Sequence, residues 1–250
     1  MKTFVAVVLL LFGGGCFAQE AYPEPEAAAA WRGLAASYVR KAIRDQMLDA
    51  DPVLNARVDA VMARVGDAVI AFEPRYAGTL WRAILIEDFG HGAAAFPGQT
   101  ILVDAKFVRA LNLNDDELAL IFCHEAAHVL AGHASAKLSF MAEFLGKEKV
   151  PDARTALLEF LALGAYVPAF MPTARAHERE ADTLGAAIFF ASGYDSKRAL
   201  LLFDKLTRLE KHNEAGDADS HDVAMARKQA VSQVFGELQR IRALDNVKPR

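Results

Sequence analysis

The chain has 250 residues, 53% of them hydrophobic and 24% charged, with a formal net charge of −4. That length supports one domain with a real core, leaving room for at most a small appendage. The mild negative charge, with no basic run or aromatic–basic stripe, argues against nucleic acid as the main partner.

The chain opens "MKTFVAVVLLLFGGGCFA" (1–18): one lysine, nine apolar residues from Phe4 to Phe12, then small residues. This is the pattern of a secretory signal. Nine apolar residues are too few to cross a bilayer as a helix. Cleavage after Ala18 would start an exported, periplasmic chain at Gln19. The alternative is lipidation at Cys16 in "GGGC", although Gly13 stands where a lipoprotein box carries leucine. Without Cys16 only Cys123 remains, so no intramolecular disulfide can form and stability rests on the core. Cys123 lies in an apolar helical run and reads as a small buried hydrophobe.

"QEAYPEPE" (19–26) reads as a Pro/Glu-rich spacer, extended and mobile; residues 27–250 then form a single domain. Apolar residues recur at helical spacing over 27–48 (Leu34, Tyr38, Ile43, Met47). Asp51-Pro52 supplies a cap and a first-turn proline for a helix reaching about Phe72. "TLWRAILIED" (79–88) and "QTILVD" (99–104) predict strands, the second preceded by the turn "FPG". Asn114 and Glu117 form a capping box that opens a helix running through His128 to about His133. "PDARTALLEFLALGAYVPAFM" (151–171) predicts a helix carrying Glu159, too interrupted to span a membrane. Its stretch 157–171 suits a lid, a membrane-touching hairpin or plain core. Further helices are predicted over 173–191, ending near Ser192-Gly193, over 196–212 behind an Asp195 cap, and over 222–244 after a polar loop at 213–220. With no internal repeat, the fold class is α+β and mainly α-helical, with a small sheet.

The chemistry concentrates in "HEAAH". His124 and His128 lie four apart, one helical turn above each other, so both imidazoles can reach one zinc ion. Glu125 is rotated away from them and can reach a water at the open metal position, acting as general base toward a carbonyl. A chain of this composition carries HExxH by chance about once in a hundred. The alternative is a buried helix whose histidines merely find hydrogen bonds. A third ligand is offered by "ARAHEREADTLG" (174–185), where Glu178, Asp182 and Gly185 share a helical face at i, i+4 and i+7. If Glu178 binds metal, Asp182 can fix the tautomer of a liganding imidazole, and Gly185 lets the two helices approach. Glu180 points nearly the other way, His177 elsewhere, and His133, continuing the first helix, falls about 140° from the ligand face. Two imidazoles and a carboxylate also suit several other transition metals.

"HEAAHVLAGH", followed about fifty residues later by "EREAD", resembles the CAAX prenyl endopeptidase and HtpX-like family of zinc metallopeptidases, which are gluzincins. "AAAFPGQTILVD" is similar to the family's strand before the active-site helix, "SGYDSKRALLLFDKL" to its Gly-Tyr-Asp-Pro helix start, and "SHDVAMAR" to its His-Pro-x-x-x-x-Arg segment. The likeness spans about residues 50–235. Gly92 replaces the family asparagine, Gln99 a glycine and Asp222 a proline. The resemblance implies a zincin-like fold and one Zn²⁺ per chain held by His124, His128 and Glu178, with Glu125 as general base and Asp182 supporting a ligand. It also brings His221 near the zinc, either stabilising an oxyanion or occupying the open position at rest; a surface histidine capping the last helix is the alternative. Arg227 would hold an acidic residue or the peptide backbone.

For substrate, "QTILVD" could present an unpaired edge (Thr100, Ile101, Leu102, Val103) to an extended peptide; the alternative is an ordinary internal strand. The expected function is an exported zinc endopeptidase acting on unfolded or misassembled proteins of the cell envelope, with outer-membrane or lipid association as an option. Lacking several membrane helices, the chain resembles the family's soluble branch, so a prenylated substrate is not expected. The rival is a chaperone-like binding module with a structural zinc, its fourth position closed by His221.

Overall fold

Continuous burial along one short strand organises the molecule. The computed structural model describes residues 21–163, 168–212 and 220–247, without the side chains of 210–212, 220–223 and 245–247. Residues 1–18, read as a secretion signal and holding Cys16, and most of the polar stretch expected as a loop at 213–220, lie outside the described residues. Strands β1 (Arg82–Ile86), β2 (Ala93–Phe96) and β3 (Thr100–Asp104) form a sheet of order β1-β3-β2. β1 runs parallel to β3 and β2 antiparallel to it.

This order overturns the reading of Thr100, Ile101, Leu102 and Val103 as a peptide-accepting edge, because β3 is hydrogen-bonded on both sides. Ile101 and Val103 enter a core with Val65, Leu118 and Phe122, while Leu102 enters a second core with Trp31, Phe96 and Leu138. A strand buried on both faces reads as an unbroken apolar run rather than as an alternation. The edge beside the cleft belongs to β2, three alanines and a buried phenylalanine, which escaped prediction because alanine carries no β-signal.

The first core lies between that sheet face and helices α2 (Pro52–Phe72), α4 (Asp115–Leu130) and α7 (Met171–Ser192), joined by α8 (Ser196–Ala199), α9 (Leu201–His212) and α10 (Ser220–Val247). A short α3 (Ala105–Ala110) follows β3. The second core lies on the opposite face, under α1 (Glu24–Arg44), α5 (His133–Leu145) and α6 (Ala153–Leu163). The architecture is therefore mainly helical with a small three-stranded sheet, an α+β arrangement of the zincin-like kind.

Local chemistry explains the boundaries. The Asp51 side chain accepts from the amides of Val53 and Leu54, and Pro52 occupies the first turn. Asn114 and Glu117 exchange both capping-box bonds. Glu117 is wholly buried, and its Oε2 also takes the Lys205 ammonium at 2.6 Å. The expected extended spacer at 19–26 differs in the structure: Glu24–Glu26 are the first turn of α1, and Tyr22 is 2% exposed with its hydroxyl donating to the Val150 carbonyl at 2.5 Å. Pro23 and the acidic first turn suit a helix start, which a reading by composition alone overlooks.

The helix expected to reach His133 instead ends at Leu130, Gly132 adopts φ +71°, and α5 begins at His133. Of the predicted helix 151–171, the described residues show α6 over Ala153–Leu163 and a short 3₁₀ turn at Pro168–Phe170, with 164–167 outside them. In the stretch 157–171, Leu157 and Phe170 are buried, whereas Leu158 and Leu161 are exposed. Among the described residues no single helix is long and apolar enough to cross a membrane.

Candidate metal centre

α4 and α7 cross with almost nothing between them. A Cβ on Gly185 would lie 2.8 Å from the His124 Cα and 2.9 Å from its amide nitrogen, distances side chains essentially never adopt. Ala126, Ala127 and Ala181 are also fully buried in this core. Small residues allow the close approach, and the close approach sets Glu178 of α7 over the imidazoles of α4.

The two Nε2 atoms of His124 and His128 lie 3.0 Å apart. Glu178 Oε2 is 3.4 Å from His124 Nε2, and its Oε1 is 3.4 Å from His128 Nε2. One ligand atom from each of the three residues lies within 4.8 Å of the other two. For a tetrahedral zinc site with bonds of about 2.05 Å, neighbouring ligand atoms should stand about 3.3 Å apart. The residues present therefore fit a small divalent cation, and two imidazole nitrogens plus a carboxylate are a suitable donor set for zinc. Without a cation, two facing Nε2 atoms can share at most one proton.

Each imidazole is steadied from behind. His124 Nδ1 lies 3.0 Å from Asp182 Oδ1, and Arg227 of α10 clamps both oxygens of Asp182, with Nε and Nη2 each donating at 2.8 Å. This puts Arg227 on an acidic residue, one of the two partners expected for it. On the other side His128 Nδ1 meets His133 Nδ1 at 2.8 Å, and His133 Nε2 lies 3.3 Å from Glu180 Oε2. His177 stacks on His133, ring centroids 4.0 Å apart. These contacts correct the reading of His133 as a residue off the ligand face, of Glu180 as pointing away and of His177 as pointing elsewhere. The Gly132 break restarts the helix and swings His133 back beside His128, which an uninterrupted helix would not do. "AGH" was the available signal, since a glycine before a histidine can end one helix and start another.

The electrostatics follow from burial and neighbours. Burial opposes protonation of His124, but the hydrogen bonds its ring donates to Asp182 and Glu178 outweigh it and raise its pKa from 6.5 to about 9. Burial would raise Glu178, yet His124 and His128 hold it far below the usual carboxylate range. Asp182 is lowered likewise, burial being outweighed by His124 and Arg227. His133 is pushed down to about 3 by burial, then by His177 and His128. It is therefore neutral, free to accept from a His128 Nδ1–H while donating to Glu180. Cys123 is fully buried, and burial pushes its thiol up, so it behaves as a small hydrophobe.

Glu125 is not part of the three-ligand cluster. It lines the same cleft, of about 370 Å³, with Oε2 accepting the Ala95 amide of β2 at 2.9 Å. His221 lies in the first turn of α10, but its side chain is outside the described residues, so the expectation for it stays as it was.

Residues 39–244 match the profile of peptidase family M48. Over 143 residues, 56% of the chain, the sequence is 24% identical to "Mitochondrial metalloendopeptidase OMA1" of Saccharomyces cerevisiae, covering 41% of that protein. Over 182 residues, 68% of the chain, it is 27% identical to "Putative beta-barrel assembly-enhancing protease" of Vibrio cholerae, covering 36% of that protein. The matched segments thus span less than half the length of either relative.

Proposed function

The chain belongs to peptidase family M48, and on that premise we propose that it is a zinc-dependent endopeptidase that cuts unfolded or misassembled proteins in the cell envelope. The observation that carries this reading is the cluster of His124, His128 and Glu178, with the Glu125 carboxylate in the same cleft.

His124, His128 and Glu178 would hold the ion. Zinc, when bound, supplies Lewis acidity at the position the three side chains leave open. Glu125 keeps one oxygen on the Ala95 amide and lines the cleft, where its carboxylate would take a proton from an attacking water and pass it to the departing amine. Asp182, locked by Arg227, holds the His124 ring with Nε2 turned toward the cluster, and His133 does the same for His128. Ala93, Ala94 and Ala95 of the edge strand line the cleft, so an extended chain can add alongside β2 through main-chain bonds that demand no particular sequence. That mode of capture suits unfolded clients.

Export is supported by the signal pattern at 1–18, with lipidation at Cys16 as the alternative anchor. Clients of the β-barrel kind are suggested by the name of the Vibrio relative. The finer likeness to the CAAX and HtpX-like branch rests on the motifs around 92–104, 192–206 and 220–227.

The test is cleavage of casein or another disordered protein by the zinc-loaded wild type and by Glu125→Gln. The variant should retain zinc and lose roughly a hundredfold or more of the rate. Equal cleavage by both would end the mechanism, and client binding without cleavage by either would favour a chaperone with a structural metal.

A further inference from the structure

The proposed mechanism employs three acids of the cleft, Glu125, Glu178 and Asp182, and one cation, Arg227, whose charge is spent on Asp182. A second cation also lines this cleft. Lys137 stands on α5 one turn after His133 and is half-buried. Among the described residues no carboxylate lies within 4.0 Å of its ammonium and no hydrogen-bond acceptor is paired with it. Its neighbours are aromatic instead, with Nζ 5.8 Å from the ring centroids of both Trp31 and Phe160.

A half-buried ammonium without a counter-ion is costly, and two cation–π contacts at that distance compensate only in part. Burial lowers its pKa, opposed by the more distant Glu125 and Glu178. Lys41, Lys106, Lys205 and Lys228 each have a carboxylate at 3.1 Å or closer, and Lys147, which also lies over an aromatic ring, donates to the Ala21 carbonyl at 2.8 Å. Lys137 is set apart by its place in the cleft, its aromatic walls and its missing anion.

We propose that Lys137 is a carboxylate-binding subsite of the cleft, which receives an acidic side chain or the free C-terminal carboxylate of a bound polypeptide. The anion completes an ion pair that the described residues leave open, beside the rings of Trp31 and Phe160. The inference rests on the peptidase reading for its substrate, but the subsite itself is a matter of binding. The main-chain capture along β2 is indifferent to sequence, so Lys137 supplies the selectivity that this capture lacks.

The experiment uses the zinc-loaded full chain and a set of otherwise identical peptides. One arm moves a single Glu, against Gln, through successive positions; the other compares free with amidated C-termini. Wild type, Lys137→Met, Lys137→Arg and Lys137→Glu are assayed for kcat and KM. Binding of the same peptides to Glu125→Gln is followed through tryptophan fluorescence, to which Trp31 beside Lys137 contributes and which needs no turnover. The wild type should favour the carboxylate-bearing peptide by about tenfold or more, chiefly in KM and in the binding constant. Lys137→Arg should retain the preference, Lys137→Met erase it, and Lys137→Glu reverse it toward a Lys-bearing peptide. The arm showing the preference identifies the source of the carboxylate. No preference in either arm for wild type, or a preference that survives in Lys137→Met of unchanged zinc content and melting temperature, overturns the proposal. If no peptide is cut while the binding preference follows Lys137, the subsite stands and the peptidase reading falls.

Discussion

At the scale of single residues, the centre is governed by competition between a proton and a metal for His124. Asp182 and Glu178 draw a proton onto that imidazole strongly enough to lift its pKa from 6.5 to about 9 in the absence of metal, although burial alone would lower it. Metal binding must expel this proton. Affinity for zinc, measured by chelator competition, should therefore rise with pH by about tenfold per unit and level off above about 9. The metal-free chain should show the matching stability change. A folded pKa above the unfolded value contributes stability that is complete below about 6.5 and lost as pH rises through about 9. Glu178 and Asp182, held below their ordinary values, lose their contributions only on acidification. Flat affinity between pH 6.5 and 9 would show that the hydrogen bonds around His124 do not hold its proton. The spacing of His124, Glu125 and His128 and of Glu178 and Asp182 could be read directly, because i, i+4 geometry inside a helix is local. Lys137, the Ala95 amide and the His133–Glu180 contact could not, since each depends on where a different element comes to rest.

At the scale of elements, the crossing of α4 and α7 is the most demanding feature. Gly185 permits it, and a methyl group there would meet the backbone of His124, which has no flexible end to move aside. Gly185→Ala should cost about 1–3 kcal/mol, lowering the melting temperature by roughly 2–10 °C, and should weaken zinc binding because the displaced atoms carry a ligand. Gly236→Ala in α10 is the control: a Cβ there meets nothing within 4 Å, so the change should be neutral or slightly stabilising. Calorimetry on the two variants separates the effects, and equal melting temperatures would show that the helices have slack. Cap signals located α2, α4 and the start of α8 well, because Asp51, Asn114 and Asp195 act on amides two or three residues away. The same local reasoning failed at Gly132 and at β2. A left-handed residue between two helices leaves the apolar pattern nearly continuous, and four residues of which three are alanine have no pattern at all.

At the scale of the whole molecule, the cluster of His124, His128 and Glu178 joins α4 to α7, with the residues on the two helices 50 and 54 positions apart. Zinc that binds the native chain and not the unfolded one stabilises it by about 2.7 kcal/mol at a hundredfold excess over Kd. Removing it with a chelator should lower the melting temperature by roughly 5–10 °C, restored on adding zinc back. A melting temperature indifferent to chelator would mean that the cluster holds no ion. The two cores lie on opposite faces of the sheet, and α1 and α6 complete only the second. The metal's contribution therefore belongs to the first core and its helices.

By itself the sequence determined the helical character of the chain, the caps of its main helices, and the i, i+4 spacings of His124 with His128 and of Glu178 with Asp182 on two helices. All of these depend on residues within one or two turns of each other, where backbone periodicity and hydrogen-bonding reach suffice. Only the tertiary structure decided that β3 is the central strand and β2 the edge. It alone turned His133 back onto His128, tied Arg227 to Asp182 and placed the Lys137 ammonium in the cleft with no anion among the described residues. These are contacts between distant segments, set by which faces must be buried together, and no local pattern encodes them.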